Sequence, residues 1–234
     1  MEKATLRSPF LVVNPKSYTY GEDLRKLAQR AEELAVKYDL DCLFTAQFID
    51  LPWVIENCPH LTPCAQNMES LKPGRGMGHI LPEALAAAGV KATFLNHAEN
   101  PKTVHELAAT IARANEVGIL TCVCADSVEE AQIIAELHPD IITCELTSLI
   151  GTGQVAGEDY MRSSTEAVRA VSPSTKVLQA AGIHSGQNVY DAIRLGADAT
   201  GGTSGIVCAD DPLAKLDEMF EALDRARTDF YKEA

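Results

Sequence analysis

Long apolar runs are missing from this sequence. No stretch approaches the roughly 20 residues that a membrane-spanning helix needs, and the apolar run within residues 1–18 is too short for the core of a secretory leader. Aromatics are scarce, at 6% of 234 residues with a single tryptophan. Basic residues are outnumbered: 20 Lys and Arg stand against 33 Asp and Glu, a formal charge of −13. Nucleic acids and anionic membranes both bind basic surface, so neither is an expected partner. An anionic ligand needs a local positive site set against this acidic field. Linkers, low-complexity tracts and domain boundaries are absent too, so residues 1–234 are expected to form one domain. The cysteines number seven, an odd count, and Cys122, Cys124, Cys144 and Cys208 lie in or beside apolar, strand-like runs. Free buried thiols in a reducing cytoplasm explain this better than a disulfide framework. Cys58, His60 and Cys64 cluster only three metal donors, so neither a metal nor any other cofactor is expected.

What the chain does have is alternation. It is 46% hydrophobic and 23% charged, ordinary for a globular protein. Short apolar runs predict strands at 10–13, 42–45, 63–66, 90–95, 119–124, 141–144, 177–180 and 197–202. Between them run amphipathic, capped segments. Leu24, Leu27, Ala28, Ala31, Leu34 and Ala35 share one helical face. Val104, Leu107, Ala108 and Ile111 form another stripe, with Asn100 and Pro101 as its expected N-cap and first turn and Gly118 as its stop. Ser127 and Glu130 read as a capping box. Ser185, and Asp211 with Pro212, open later helices. The strands lack polar alternation, as in a parallel sheet covered on both faces. Eight strand–helix units fit a closed (βα)₈ barrel, which typically takes about 250 residues; an open doubly wound sheet is the competing arrangement.

In such a barrel the residues just after the strands meet at one mouth. Those residues are Asn14-Pro15-Lys16, then Asn96, His97 and Glu99, then Glu145 with the segment to Gly153, then Ala181-Gly182-Ile183-His184, and finally Gly201-Gly202-Thr203-Ser204-Gly205. Each alone has a plainer reading. A strand-end glutamate is more often a solvated loop residue, a lone histidine a satisfied structural one, and a lone lysine a surface charge. Together they suit proton transfer beside a carbonyl. A carboxylate removes the α-proton, an imidazole donates to the oxygen as negative charge develops, and lysine adds fixed positive charge. Glycine turns before helices present backbone N–H groups to phosphate oxygens, so a small dianion can bind an acidic protein.

At these residues the chain resembles the triosephosphate isomerase family, most closely its short archaeal-type form. The likeness runs through Val13-Asn14-Pro15-Lys16, Ala65-Gln66-Asn67, Gly78-His79-Ile80-Leu81-Pro82-Glu83-Ala84, Leu95-Asn96-His97-Ala98-Glu99-Asn100, Glu145 with Leu149-Ile150-Gly151-Thr152-Gly153, and Ala181-Gly182-Ile183. It implies a single TIM barrel of eight parallel strands that interconverts dihydroxyacetone phosphate and D-glyceraldehyde 3-phosphate without a cofactor. It implies Glu145 as base, His97 as electrophile and Lys16 as oxyanion partner, with Asn14 also contacting substrate and Glu99 as a carboxylate beside Lys16. Residues 146–156 become a lid. Ile150, Gly151, Gly182, Thr203 and Ser204 become phosphate contacts. The family is itself the standard example of a histidine held neutral by a helix N-terminus, and the expected helix start at Asn100 places that device behind His97. Gly74 to Gly78 becomes a protruding loop against a second subunit of a homodimer or homotetramer.

Three positions depart from the family. Leu146 stands where proline usually follows the base, which frees the hinge in φ. Ala98 stands where serine is frequent, removing a hydrogen bond available to the base in an open state. His184 stands where serine is common, at the phosphate mouth, and reads equally as phosphate contact or exposed loop. A four-carbon ketose phosphate therefore stays open as substrate. A non-catalytic sugar-phosphate-binding barrel and an unrelated barrel lyase are the readings from other classes.

Overall fold

The computed structural model describes residues 3–180 and 182–231. Its strands are β1 (Phe10–Val13), β2 (Cys42–Ala46), β3 (Leu61–Ala65), β4 (Ala92–Leu95), β5 (Leu120–Ala125), β6 (Ile141–Cys144), β7 (Lys176–Gln179) and β8 (Ala199–Gly202). Each pairs in parallel with the next, and β8 returns to β1 with Val12 opposite Gly201. The sheet is thus a closed TIM barrel, and the open-sheet alternative falls away.

Alternate residues serve two different cores. Phe10 and Val12 of β1, Leu43 of β2, Cys64 of β3, Cys122 and Cys124 of β5 and Leu178 of β7 fill the barrel interior. Leu11, Val13, Phe44, Val123, Ile142 and Val177 face the surrounding helices. Both sets are apolar, which is why the strands show no polar alternation. Burial holds the thiols of Cys64, Cys122 and Cys124 well above the ordinary cysteine value. They stay protonated and pack as small apolar groups. Cys58 is buried in the outer core, Cys64 in the barrel and His60 is exposed, so these three do not converge. Cys208 is a correction: it is exposed, at the end of a short helix.

The helices are α1 (Gly21–Tyr38), α2 (Leu51–Asn57), α3 (Pro82–Ala88), α4 (Val104–Val117), α5 (Val128–Ala135), α6 (Glu158–Val171), α7 (Gly186–Arg194), α8 (Ser204–Val207) and α9 (Pro212–Phe230). Local chemistry sets most ends. Ser185 accepts from the Asn188 amide, Asp211 accepts from Leu213 and Ala214, and α4 stops at Gly118 with φ +78°. All six residues expected on the inner stripe of α1 are buried.

Two expectations at helix starts are corrected. The helix after β4 begins at Val104, not Asn100, because Thr103 and Glu106 form a complete capping box that outcompetes the Asn100–Pro101 start. Val104 is consequently a first-turn residue and exposed. In α5 only half of the expected box exists: Ser127 accepts from the Glu130 amide, but the Glu130 carboxylate turns away to Asp126 and Asn96. The turn after β8 also holds the extra short helix α8, too brief to show a hydrophobic period.

No helix among the described residues is long and apolar enough to cross a membrane. The final helix α9 seals the outer layer against α1 and α7, with Leu216, Phe220 and Leu223 fully buried. Replacing Phe220 with alanine is expected to cost about 3–5 kcal/mol. Thermal melts should then show Tm lowered by about 6–20 °C.

Candidate active site

The turn after β1 is held in an unusual shape. Lys16 has φ +46°, a left-handed conformation uncommon outside glycine. Its amide donates to Asn14 Oδ1 (3.0 Å), which also accepts from the Thr45 hydroxyl (2.6 Å). Its carbonyl accepts from Gln66 Nε2 (2.8 Å). With Asn14 Oδ1 committed twice, the Asn14 NH₂ is the group left for a ligand. Lys16 Nζ pairs with Glu99 Oε1 at 2.8 Å. Burial opposes the Glu99 charge, but the hydrogen bond and attraction from Lys16 outweigh it, so the carboxyl sits below its ordinary value.

His97 follows β4 by one turn residue, Asn96, which is itself left-handed at φ +56°. Asn96 Nδ2 donates to the Cys124 carbonyl (3.0 Å) and Asn96 Oδ1 accepts from the Lys102 amide (3.0 Å). The Glu99 amide donates to His97 Nδ1 at 3.1 Å. An accepting Nδ1 carries no proton, so the ring's hydrogen lies on Nε2. This local amide replaces the helix N-terminus expected behind His97, since α4 starts seven residues further on. His97 Nε2 is buried, finds no hydrogen-bond partner among the described residues, and lies 3.5 Å from Glu145 Oε2.

Glu145 extends the β6 ladder, its amide donating to the Ala125 carbonyl. A 3₁₀ turn, Thr147–Leu149, comes next, then an exposed run at 151–154. The run is braced internally: Thr152 Oγ1 donates to the Leu149 carbonyl (2.8 Å) and accepts from the Gln154 amide (3.1 Å). Its far end leans on the β7 turn. Gly182 has φ +74°, and a Cβ there would sit 1.9 Å from the Gln154 carbonyl oxygen, so only glycine fits. Tyr160 of α6 buries a hydroxyl with no partner among the described residues; burial, then the thiol of Cys144 and the charges of Asp126, Glu145 and Glu130, hold it well above its ordinary value.

The barrel mouth ends in a cavity of about 30 Å³ whose lining includes Asn14, Lys16, His97, Glu145, Gly202 and Thr203. A concavity of about 240 Å³ continues past Lys16 and His97 toward Gln66 and Asn67. Ile150 stands on the other side of Glu145, beside Thr147 and Ala98. Gly151 is exposed in the run at 151–154, and Gly182 and Ser204 lie on the turns after β7 and β8, outside the small cavity. Ala181 lies outside the described residues. His184 is exposed; its Nδ1 bonds the Gly182 carbonyl at 2.6 Å and its amide bonds Asn188, so the ring braces the β7 turn. Thr45, which braces Asn14 from a strand reading as plain core, gave no signal in the sequence. Gln66 was visible as part of a motif, but its task of holding the Lys16 carbonyl was not.

A family model described as triosephosphate isomerase matches residues 9–205. The chain belongs to the triosephosphate isomerase family. A triosephosphate isomerase from Methanopyrus kandleri is 34% identical over 94% of this chain and 100% of its own length. One from Methanothermus fervidus is 31% identical over 90% and 97%, and one from Methanocaldococcus jannaschii 32% identical over 85% and 93%. The chain is accordingly an isomerase, an intramolecular oxidoreductase, and its family implies a phosphorylated sugar as substrate.

The Glu99 carboxyl sets a pH signature. A lowered folded value means the Lys16 pair adds stability above the unfolded glutamate value of about 4.3 and loses it as pH falls through the lower folded one. Glu99→Gln lacks that contribution at every pH. The Tm gap between wild type and variant should be widest above about pH 5 and close on acidification below the ordinary glutamate value.

Proposed function

We propose that the site interconverts dihydroxyacetone phosphate and D-glyceraldehyde 3-phosphate through an enediolate, with His97 Nε2 facing Glu145 at 3.5 Å while the Glu99 amide occupies Nδ1 as the observation that carries the reading. Glu145 removes a proton from the carbon beside the carbonyl. His97 Nε2 donates to the carbonyl oxygen, and the Lys16 ammonium offsets the charge that develops there. Glu145 then returns the proton to the neighbouring carbon. One proton must also pass between the two oxygens: His97 Nε2 gives its proton to the carbonyl oxygen and takes back the one on the neighbouring hydroxyl, both electrons of the broken C–H bond stay in the substrate, and each side chain ends as it began. Asn14 orients the hydroxyl end. Backbone amides at Gly182, Thr203 and Ser204 hold the phosphate, and Ile150 and Gly151 reach it when the 146–156 lid closes and excludes water. Glu99 holds Lys16 in place.

The same reading makes the chain a single-domain cytoplasmic enzyme working as a homodimer or homotetramer. Tyr18, Tyr20, Ile49 and Met77 are exposed large apolar side chains on the loops after β1, β2 and β3, with Met77 fully exposed. Apolar exposure gathered on one rim suits burial against a second copy. A second reading, a four-carbon ketose phosphate as substrate, draws on the concavity beyond Lys16 and His97, which offers room past the reacting carbons. Side-by-side turnover of three- and four-carbon phosphates separates the two.

Glu145→Gln is expected to lower kcat by about 10²–10⁴-fold in a coupled isomerase assay while inorganic phosphate still binds. Near-normal turnover in that variant overturns the assignment; tight binding of a phosphorylated enediolate analogue without turnover in the wild type would mark a non-catalytic barrel. Met77→Asp combined with Ile49→Asp should reduce the mass measured by light scattering to that of a smaller assembly.

A further inference from the structure

Leu146 lies at φ −64°, ψ 113°, with no ring to hold it there. The restraint on this hinge comes one residue later. The Thr147 amide donates to the Asp126 carboxylate, across 21 residues of chain, from the turn after β5. Asp126 directly precedes the α5 N-cap, Ser127, and caps nothing in its own helix. Its amide donates to Glu130 Oε2 (2.6 Å), and Glu130 Oε1 accepts from Asn96 Nδ2 (3.2 Å). Asn96 is the residue before His97. A continuous hydrogen-bonded chain therefore links the second residue after the base to the residue before the electrophile.

We propose that Asp126 is a positioning residue for the isomerisation: its carboxylate latches the first hinge of the lid so that Glu145 stays turned toward His97. The proposal rests on the isomerase reading of those two residues. A cavity of about 280 Å³ lies behind the latch, lined in part by Asn96, Ala98, Asp126, Glu130, Glu145 and Thr147. It is the space into which the base falls when the hinge slackens, and Ala98 presents no polar group to catch it. Asp126 is exposed, so the bond adds little to global stability. Its leverage is geometric, because displacing a reacting group by about 1 Å costs up to about 100-fold in rate. The Glu130 carboxylate, drawn out of its capping box to hold both Asp126 and Asn96, keeps the two ends of the chain in register.

The test compares Asp126→Ala, Asp126→Asn and Asp126→Ala with Leu146→Pro, each in the full chain. Asp126→Ala should lower kcat about tenfold with little change in inorganic phosphate affinity or Tm. Asp126→Asn keeps an acceptor oxygen and should recover most of the loss. Proline at 146, which suits the observed φ, should restore much of the Asp126→Ala deficit by restraining the same hinge another way. A wild-type kcat in Asp126→Ala overturns the proposal. So does a loss that tracks a lowered Tm and is rescued by neither asparagine nor proline. The isomerase reading fails separately, by turnover that survives Glu145→Gln.

Discussion

The hydrogen bond from the Glu99 amide to His97 Nδ1 governs the chemistry of this site. It fills the lone pair that would otherwise take a proton, and so leaves a neutral ring with its hydrogen on Nε2, pointed at Glu145. An imidazolium facing Glu145 would form an ion pair with it and quench the base. In the proposed reaction a neutral donor leaves Glu145 free to take a carbon-bound proton and polarises the oxygen beside it. Because the donor is a backbone amide, its position depends on the whole 96–103 turn. That turn is why Asn96 is left-handed and hydrogen-bonded at both ends of its side chain.

The β1 turn follows the same logic. Lys16 occupies a conformation that costs free energy, and Asn14, Thr45 and Gln66 from three strand ends hold it there. The result aims an ammonium into the mouth of an acidic protein, with Glu99 tethering it. On the opposite rim, the proposed phosphate site is made of turns rather than of charged side chains. The lid presses on Gly182, and His184 braces the same turn instead of adding charge to the cavity.

Much of this was legible in the chain. Strand ends fell within a few residues of the eight apolar runs, because strands buried on both faces must be apolar throughout. Glu145, His97 and Lys16 stood out because a barrel delivers strand-end residues to one mouth. What misled was competition between neighbouring signals. Asn100–Pro101 is a sound helix start, yet Thr103 with Glu106 satisfies more orphan amides. Glu130 sits at the right spacing to complete a capping box, yet the Asp126 amide and Asn96, just after β4, claim its carboxylate.

The sequence by itself determined the strand–helix alternation, the family and which residues are candidates for the reacting groups, since these rest on residue type and on spacing along the chain. Only the tertiary structure decided the protonated nitrogen of His97, the left-handed turn at Lys16, the fit of Gly182 under the lid and the tie from Thr147 to Asp126. The His97 nitrogen is set by an amide only two residues away, but through the way the turn around it folds; the other three depend on atoms far apart in sequence meeting within hydrogen-bond or contact distance. No local pattern encodes that meeting; closure of the barrel does.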